Sequence, residues 1–370
     1  MRTIRGKTMM AVDHEALEQL VGALDVAVRR QALDLARQVR EHDGVEAISE
    51  APLLALSDGD PLVTHILAWH NDRLVGYCQR DAEGASAELA VAPGARQLGL
   101  AKVIVRTLAV DTPAVRLWAH GDLGAARMVA DSVGLVAVRE LWEMTADRSA
   151  KPADAVWPAD AVWPPAAPAA PGPGVGLADH AAQAANAGHA AHAGHAAHAA
   201  QTAHAAQADH AGHAGQTAHA AYAVRQFDPR SDRVAWAKLN AAAFANHPEQ
   251  GKLTVSDLDR RMAESWFDPA GLLFAAPRAA DGSLGPPVGY VWTKIVGHVG
   301  EIYGIGVHPD VQGRRLGTNL LKAGLDQIEA QGVTEVRLFV EADNARAIAA
   351  YRRQGFKVTR RDIQYAFPAR

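Results

Sequence analysis

Residues 301–328, EIYGIGVHPDVQGRRLGTNLLKAGLDQI, change their hydrophobic period midway. Glu301 to Val307 has the apolar, β-branched and aromatic make-up of a strand, whereas Thr318 to Glu329 sets Leu320, Leu321, Gly324, Leu325 and Ile328 on one helical face. Between them lies the basic, glycine-bearing junction Gln312-Gly-Arg-Arg-Leu-Gly317. Successive backbone N–H groups at a helix start form an anion pocket, and arginines add charge to it, so a pyrophosphate fits there. A basic turn with glycines for shape alone is the plainer alternative.

The same succession occurs earlier in the chain. Residues 87–108, AELAVAPGARQLGLAKVIVRTL, hold a Val-x-Pro strand end and the junction Arg96-Gln-Leu-Gly-Leu-Ala101 before a second amphipathic run. Residues 115–135 begin Val-Arg-Leu and end Gly-Leu, as residues 336–356 begin Val-Arg-Leu and end Gly-Phe, and Gly76-Tyr77 precedes the first block as Gly289-Tyr290 precedes the second. The chain is an internal duplication of a strand, loop, helix, strand unit, which predicts an α/β fold with a mixed sheet in each half.

What separates the halves is compositionally distinct. Residues 151–220 contain 29 Ala, nine of the chain's 17 His and seven Pro, with Leu177 as the only Leu, Ile or Phe. Such a segment buries too little apolar surface to offset its ordering entropy. The expected organisation is an N-terminal domain over 1–148, a linker over 149–221 and a C-terminal domain over 222–370. His189, His192, His195 and His198 recur every three residues; shared metal binding is one reading of them and a plain linker, with no metal in the protein, the other.

Charge and cysteine count narrow the function. Lys plus Arg number 37 against 41 Asp plus Glu, a net charge of −4, so no global positive field holds nucleic acid or an anionic membrane. Cys78 is the single cysteine, which excludes an intrachain disulfide and a Cys-rich zinc site and fits a reducing cytoplasm. The first twenty residues reach acidic side chains before any long apolar run, so neither a signal peptide nor a membrane anchor is expected there.

Arg96, Gly99 and Ala101 satisfy the pattern Q/R-x-x-G-x-G/A; Gln312 and Gly317 satisfy it too, with Arg315 where a glycine is usual. Asn344, Ala347, Tyr351, Gly355 and Phe356 match N-x-x-A-x-x-x-Y-x-x-x-G-F. On these motifs the chain resembles the GNAT superfamily of acetyl-CoA-dependent N-acetyltransferases. The resemblance implies two tandem GNAT folds, each with a splayed parallel strand pair that binds acetyl-CoA. Ile305, Gly306 and Val307 then contact the pantetheine, Gln312, Gly313, Arg314, Arg315, Leu316, Gly317 and Thr318 cradle the pyrophosphate, and Asn344, Ala345, Arg346, Ala347, Ile348 and Ala349 complete the cofactor site. Leu89, Ala90 and Val91 with Arg96, Gly99 and Ala101 are the first-half counterparts. Glu301 takes the amine proton, directly or through water, and Tyr351 protonates the leaving thiolate. Aligning the Val-x-Pro and glycine landmarks sets Ala85 opposite Glu301 and Ala130 opposite Tyr351, so a single active site is expected, in the second half.

Asn240 to Gly251, NAAAFANHPEQG, with Glu264-Ser-Trp-Phe-Asp268 and Tyr290-Val-Trp-Thr-Lys294, is similar to the mycothiol synthase family. That resemblance implies a small-molecule acceptor, a cysteinyl-glucosaminyl-inositol, held by Glu50, Glu249, Lys294, Glu301 and Phe339; a monomer without nucleic-acid or membrane partners is expected. An N-acetyltransferase of another small amine or a peptide N-terminus, and a silent acyl-CoA sensor, are the alternatives.

Overall fold

The structure, a computed structural model, describes residues 10–12, 15–149, 162–163, 221–247 and 250–368. The histidine tract and Glu249 lie outside the described residues. In the first half, β1 (Met10–Val12) and β2 (Glu15–Val21) precede helices α1 (Val26–Asp43) and α2 (Glu50–Asp58). Then come β3 (Thr64–His70), β4 (Arg73–Arg80), β5 (Ser86–Val91), α3 (Leu100–Asp111), β6 (Arg116–Ala119), α4 (Gly124–Val133) and β7 (Val136–Asp147). After the short β8 (Val162–Trp163), the second half runs β9 (Ala221–Gln226), α5 (Arg233–Ala243), α6 (Val255–Met262), β10 (Leu272–Arg278), β11 (Gly289–Val296) and β12 (Val299–Val307). It closes with α7 (Leu316–Ala330), β13 (Glu335–Glu341), α8 (Ala345–Arg353) and β14 (Lys357–Ala366).

The strands join into one 14-stranded sheet in the order β1-β2-β3-β4-β5-β6-β14-β7-β13-β12-β11-β10-β9-β8. Neighbours are antiparallel except β5 with β6 and β12 with β13. These parallel pairs are short: β12 meets β13 only from Val299 to Glu301, and β5 meets β6 only at Ser86 and Ala87. Past those residues the strands of each pair diverge, which opens a wedge at the head of α7 and another at the head of α3.

The seam follows from where the last strand of each half goes. The terminal strand of the first half, β7, pairs with β13 and β14 of the second, and β14 pairs with β6 and β7 of the first. Side chains follow the backbone: Met144 and Ala146 of β7 belong to the second half's core, while Tyr365 and Phe367 pack on the first half's. Arg148, just beyond β7, fastens the arrangement by pairing with Glu329 of α7 at 2.7 Å and donating to the Gln354 carbonyl at 3.0 Å. Burying Met144 completely in the opposite half contributes about 2–5 kcal/mol by comparison with typical Met→Ala costs. The halves are therefore interlocked.

Each half buries both faces of its stretch of sheet. In the second, α7 and α8 cover one face over Ile302, Ile305 and Val307, and α5 and α6 cover the other over Tyr290, Trp292 and Tyr303. Side chains at 302 and 305 share a face because Tyr303 is an extra residue, a β-bulge where the register with β11 slips between Trp292 and Thr293. Glycine is required at 306, where an added Cβ would lie 2.7 Å from the Tyr290 ring.

Candidate active site

The loop at the head of α7 has a repeated geometry. Gly313 and Arg315 have φ of 82° and 60°, and their first-half counterparts Gln97 and Gly99 have 67° and 83°. Each loop thus takes two left-handed residues, one glycine and one not. Gln312 donates from its side-chain amide to the Val307 carbonyl at 3.1 Å, as Arg96 Nε donates to the Val91 carbonyl at 3.2 Å. Arg315 stands where glycine is usual and adopts glycine's conformation, at a strain of about 1–2 kcal/mol.

In the second half this loop borders a cavity of about 160 Å³ between β12 and α8. Val307, Gln312, Gly313, Arg315, Leu316, Gly317, Thr318, Arg346, Ala349 and Tyr351 line it, joined by Leu321, Ala350 and Arg353, which sequence reasoning missed. No acidic residue occupies the first turn of α7, so the free N–H groups and dipole of its N-terminus face the cavity unopposed. Two polar groups there are buried without a hydrogen-bond partner in the protein: Arg346 Nε and the Tyr351 hydroxyl. Burial lowers the Arg346 pKa and pushes the Tyr351 phenol well up, which keeps the phenol a proton donor at neutral pH. These features fit an acyl-CoA cofactor, the cavity taking part of it.

The remaining cofactor expectations take other places. Arg314 turns away, its Nη1 3.3 Å from the Tyr222 hydroxyl. Asn344 caps α8, its Oδ1 accepting from the Ala347 N–H at 3.1 Å, while the side chains of Ala347, Ile348 and Ile305 lie in the core. In the first half Val91 is core and Leu89 packs against that core, Ala90 is buried on the opposite face, and Arg96 makes two bonds of 2.8 and 2.7 Å to Asp43.

On the α5/α6 face, Glu301 sits where β12 and β13 begin to part. It is 2% exposed. Its Oε2 accepts from Arg337 Nε at 3.0 Å, while Oε1 has no hydrogen-bond partner in the protein. Burial opposes the charge on Arg337, but the carboxylates of Glu301 and Glu143 outweigh it and hold the guanidinium above its ordinary pKa. Lys294, the cross-strand partner of Glu301, meets the carboxylate of Glu50 from the first half. Its ammonium also stands 4.5 Å over the Trp266 ring. Tyr303 donates to Glu50 Oε2 at 2.8 Å and accepts from Arg261 Nε at 2.9 Å. The structure thus brings Glu50, Lys294 and Glu301 to one cluster and adds Tyr303, Arg261 and Arg337. Strand alternation puts Tyr303 on the face of Glu301; no local signal marks the two arginines.

Asn240 fixes Gln250, donating to its carbonyl at 2.6 Å and accepting from the Tyr290 hydroxyl at 2.7 Å. An added Cβ at Gly251 would lie 2.3 Å from the Phe244 carbonyl oxygen, so only glycine fits. His247 Nδ1 accepts the Gln250 N–H at 3.0 Å, and its Nε2 lies 3.7 Å from Glu341, which Arg139 of β7 also binds. Burial would raise the Glu341 pKa, but bonds from His247 and Arg139 bring it to about 2. Glu249 itself is outside the described residues. Phe339, expected at the substrate, is fully enclosed by Trp118 and Leu141, with the Arg337 and Arg360 guanidinia each 5.8 Å from its ring centre. It packs across the seam between the halves and offers no surface to a ligand.

Strand register corrects one sequence alignment. Glu301 pairs with Arg337, and Arg116, at the same place in Val-Arg-Leu, pairs with Ser86, so Ser86 rather than Ala85 is the counterpart of Glu301. The bulge at Tyr303, lacking in β5, causes the one-residue offset. Ala130 does match Tyr351: the carbonyl of each accepts from the residue after the helix-ending glycine, at 2.9 and 3.1 Å.

Among the described residues, no helix is long and apolar enough to cross a membrane, and no group of three or more His, Cys, Asp or Glu is placed to hold a metal.

Residues 236–356 match the acetyltransferase (GNAT) family. A mycothiol acetyltransferase from Cellulomonas flavigena is 37% identical, covering 97% of this chain and 92% of its own. Another from Sanguibacter keddieii is 37% identical over 97% and 99%, and one from Streptomyces avermitilis 34% over 94% and 94%. A GCN5-related N-acetyltransferase from Sphaerobacter thermophilus superposes with a TM-score of 0.56 at 19% identity, covering 96% of both chains. A tandem GNAT protein of the clavulanic acid pathway gives 0.55 at 17%, covering 96% of this chain and all of its own. These two show a shared fold.

Proposed function

Because this chain belongs to the mycothiol acetyltransferase family, an acetyl-CoA-dependent group of N-acetyltransferases, we propose that it acetylates the cysteinyl amine of a cysteinyl-glucosaminyl-inositol at one site, in the second half. The observation that carries the site is the buried Glu301 with one oxygen fixed by Arg337 and the other unengaged. Acetyl-CoA supplies the activated thioester. An α-amine of ordinary pKa about 7.7–8.0 is partly neutral at pH 7, so Glu301 Oε1 has only to accept a proton as the amine attacks, directly or through a water. Backbone N–H groups near the bulged, glycine-bearing part of β12 stabilise negative charge developing on the carbonyl oxygen. The Tyr351 hydroxyl, protonated and without a protein partner, donates to the departing sulfur.

Acceptor recognition falls to Glu50, Lys294, Glu301 and Glu249. A polyol bearing an amine requires such a set of charged and polar groups on converging walls. The cofactor lies along β12 and the α7 loop, with Arg346 and the α7 N-terminus on its phosphates. The protein acts as a monomer in the cytoplasm, with residues 1–148 as a non-catalytic domain and 149–221 as a linker.

The test is mass spectrometry of acetyl-CoA reactions with the cysteinyl pseudodisaccharide and a panel of other small amines. Acetylation of the cysteinyl amine at the highest kcat/KM is expected. Preference for an aminoglycoside or a peptide N-terminus would overturn the substrate assignment.

A further inference from the structure

Glu88 on β5 and Gln79 on β4 are cross-strand partners in the first half, and both are nearly completely buried. Both reach the first turn of α2. Glu88 accepts two hydrogen bonds from Ser49, the backbone N–H at 2.5 Å on Oε2 and the hydroxyl at 2.7 Å on Oε1. Gln79 donates to the Pro52 carbonyl at 3.0 Å and is aimed by Tyr77, whose hydroxyl donates to Gln79 Oε1 at 2.6 Å. Ser49 is the residue that should cap α2, yet its hydroxyl makes no cap bond. Diverting a capping serine forgoes about 1 kcal/mol of helix stability, which charge-assisted bonds to a buried carboxylate offset.

The residue after Ser49 is Glu50, whose carboxylate meets Lys294 and Tyr303 of the second half. A helix held at Ser49 and again at Pro52 can neither slide nor rotate, so the side chain at 50 enters the other half at a fixed place. The matching cross-strand pair in the second half is Trp292 with Gly304, neither of which can grip a helix in this way. Charge balance is supplied from behind Glu88. His120 Nε2 lies 3.5 Å from Glu88, its Nδ1 3.0 Å from Asp362 of β14, and Arg360 Nε 3.5 Å from Asp362. Arg360 also reaches Glu143 at 2.8 Å, so each buried carboxylate of the group has a basic partner, as buried charge requires.

We propose that Glu88 and Gln79 are positioning residues for the acceptor pocket of the opposite half, fixing α2 so that Glu50 presents its carboxylate to the substrate's polar groups. The proposal rests on the reading of Glu50 as a substrate contact. It gives the first half a role in recognition without any chemistry of its own.

Steady-state kinetics of the full chain test it, with KM measured for amine and for acetyl-CoA. Glu88→Ala is expected to raise the amine KM about tenfold and Ser49→Ala about threefold, with the acetyl-CoA KM within twofold of wild type. In a Glu50→Ala background neither substitution adds a further loss, because both act through Glu50. Losses that multiply in that background, or a matching rise in the acetyl-CoA KM, would overturn the proposal in favour of general structural support. If Glu50→Ala alone raises the amine KM while Glu88→Ala and Ser49→Ala do not, positioning fails and the Glu50 contact stands. An unchanged KM in Glu50→Ala removes the contact itself, and the proposal with it. Ser49→Ala, which deletes one hydroxyl, decides the matter if Glu88→Ala does not fold.

Discussion

The two halves carry the same strand-to-helix loop, with the same pair of left-handed residues and the same bond from its first side chain back to the strand carbonyl. Around that loop they differ. The second half has Glu301 and Tyr351 where the first has Ser86 and Ala130, and it alone has the bulge at Tyr303. In the first half, Arg96 is committed to Asp43. The difference shows that the loop's shape is set by backbone conformation and survives changes in its surroundings. The proton transfer proposed for the second half depends on a few side chains, and other residues at their positions leave the fold intact.

The largest expected effect that tests this division is at Glu301. Glu301→Gln keeps an acceptor for Arg337 and removes the base, so kcat is expected to fall about 10²–10⁴-fold with the acetyl-CoA KM unchanged. A kcat near wild type would break the division of labour.

Tyr351→Phe is expected to lower kcat about 10–100-fold without lowering Tm. Its hydroxyl has no protein partner to lose, and burying a hydroxyl unpaired is itself unfavourable. A loss of stability together with activity would instead make Tyr351 a packing residue, as Ala130 is.

The seam gives a pH signature. Burial alone would lower the His120 pKa, but Asp362 and Glu88 outweigh it and raise the value from 6.5 to about 10. Burial would likewise raise the Asp362 pKa, but His120 outweighs it and lowers the value from 3.8 to about 2. The raised His120 pKa gives stability that is complete below pH 6.5 and lost as pH rises through about 10; the lowered Asp362 pKa gives stability present above 3.8 and lost as pH falls through about 2. Denaturant unfolding should show stability declining between neutrality and pH 10, and the decline should be shallower in His120→Asn.

The smallest effect exchanges the loops' own difference. Gly99→Arg is expected to destabilise by about 1 kcal/mol, and Arg315→Gly to stabilise by less than that, since relief of left-handed strain is partly cancelled by the freer unfolded chain. Thermal unfolding of the two variants, with acetyl-CoA KM measured for each, checks both signs.

Much of this was legible in the sequence. The duplication, the strand, the loop and the helix at 301–330 all depend on period and glycine placement within one short stretch, and the structure extends the predicted elements by only a residue or two, to Val299–Val307 and Leu316–Ala330. The likeness of the loops at 96–101 and 312–317 was equally plain, and the structure gives them the same conformation. The offset from Ala85 to Ser86 was not, because a bulge adds a residue to one strand without interrupting its apolar pattern. Arg337 and Arg261 were also hidden: an arginine in a strand or helix looks solvated until its partners, Glu301 and Tyr303, are known to be buried beside it.

By itself the sequence determined two α/β units, a glycine-bearing loop at each strand-to-helix turn, and the placing of Glu301 and Tyr351 in one of them alone. Those properties come from residues close together in the chain, where periodicity and backbone conformation are locally encoded. Tertiary structure alone decided that β7 and β14 cross into the opposite halves, that Tyr303 joins Glu50, and that Glu88 accepts from Ser49 at the head of α2. Such contacts join residues 39 to 253 positions apart. Their partners are selected by shape and buried charge in the folded chain, a selection that leaves no pattern along the sequence.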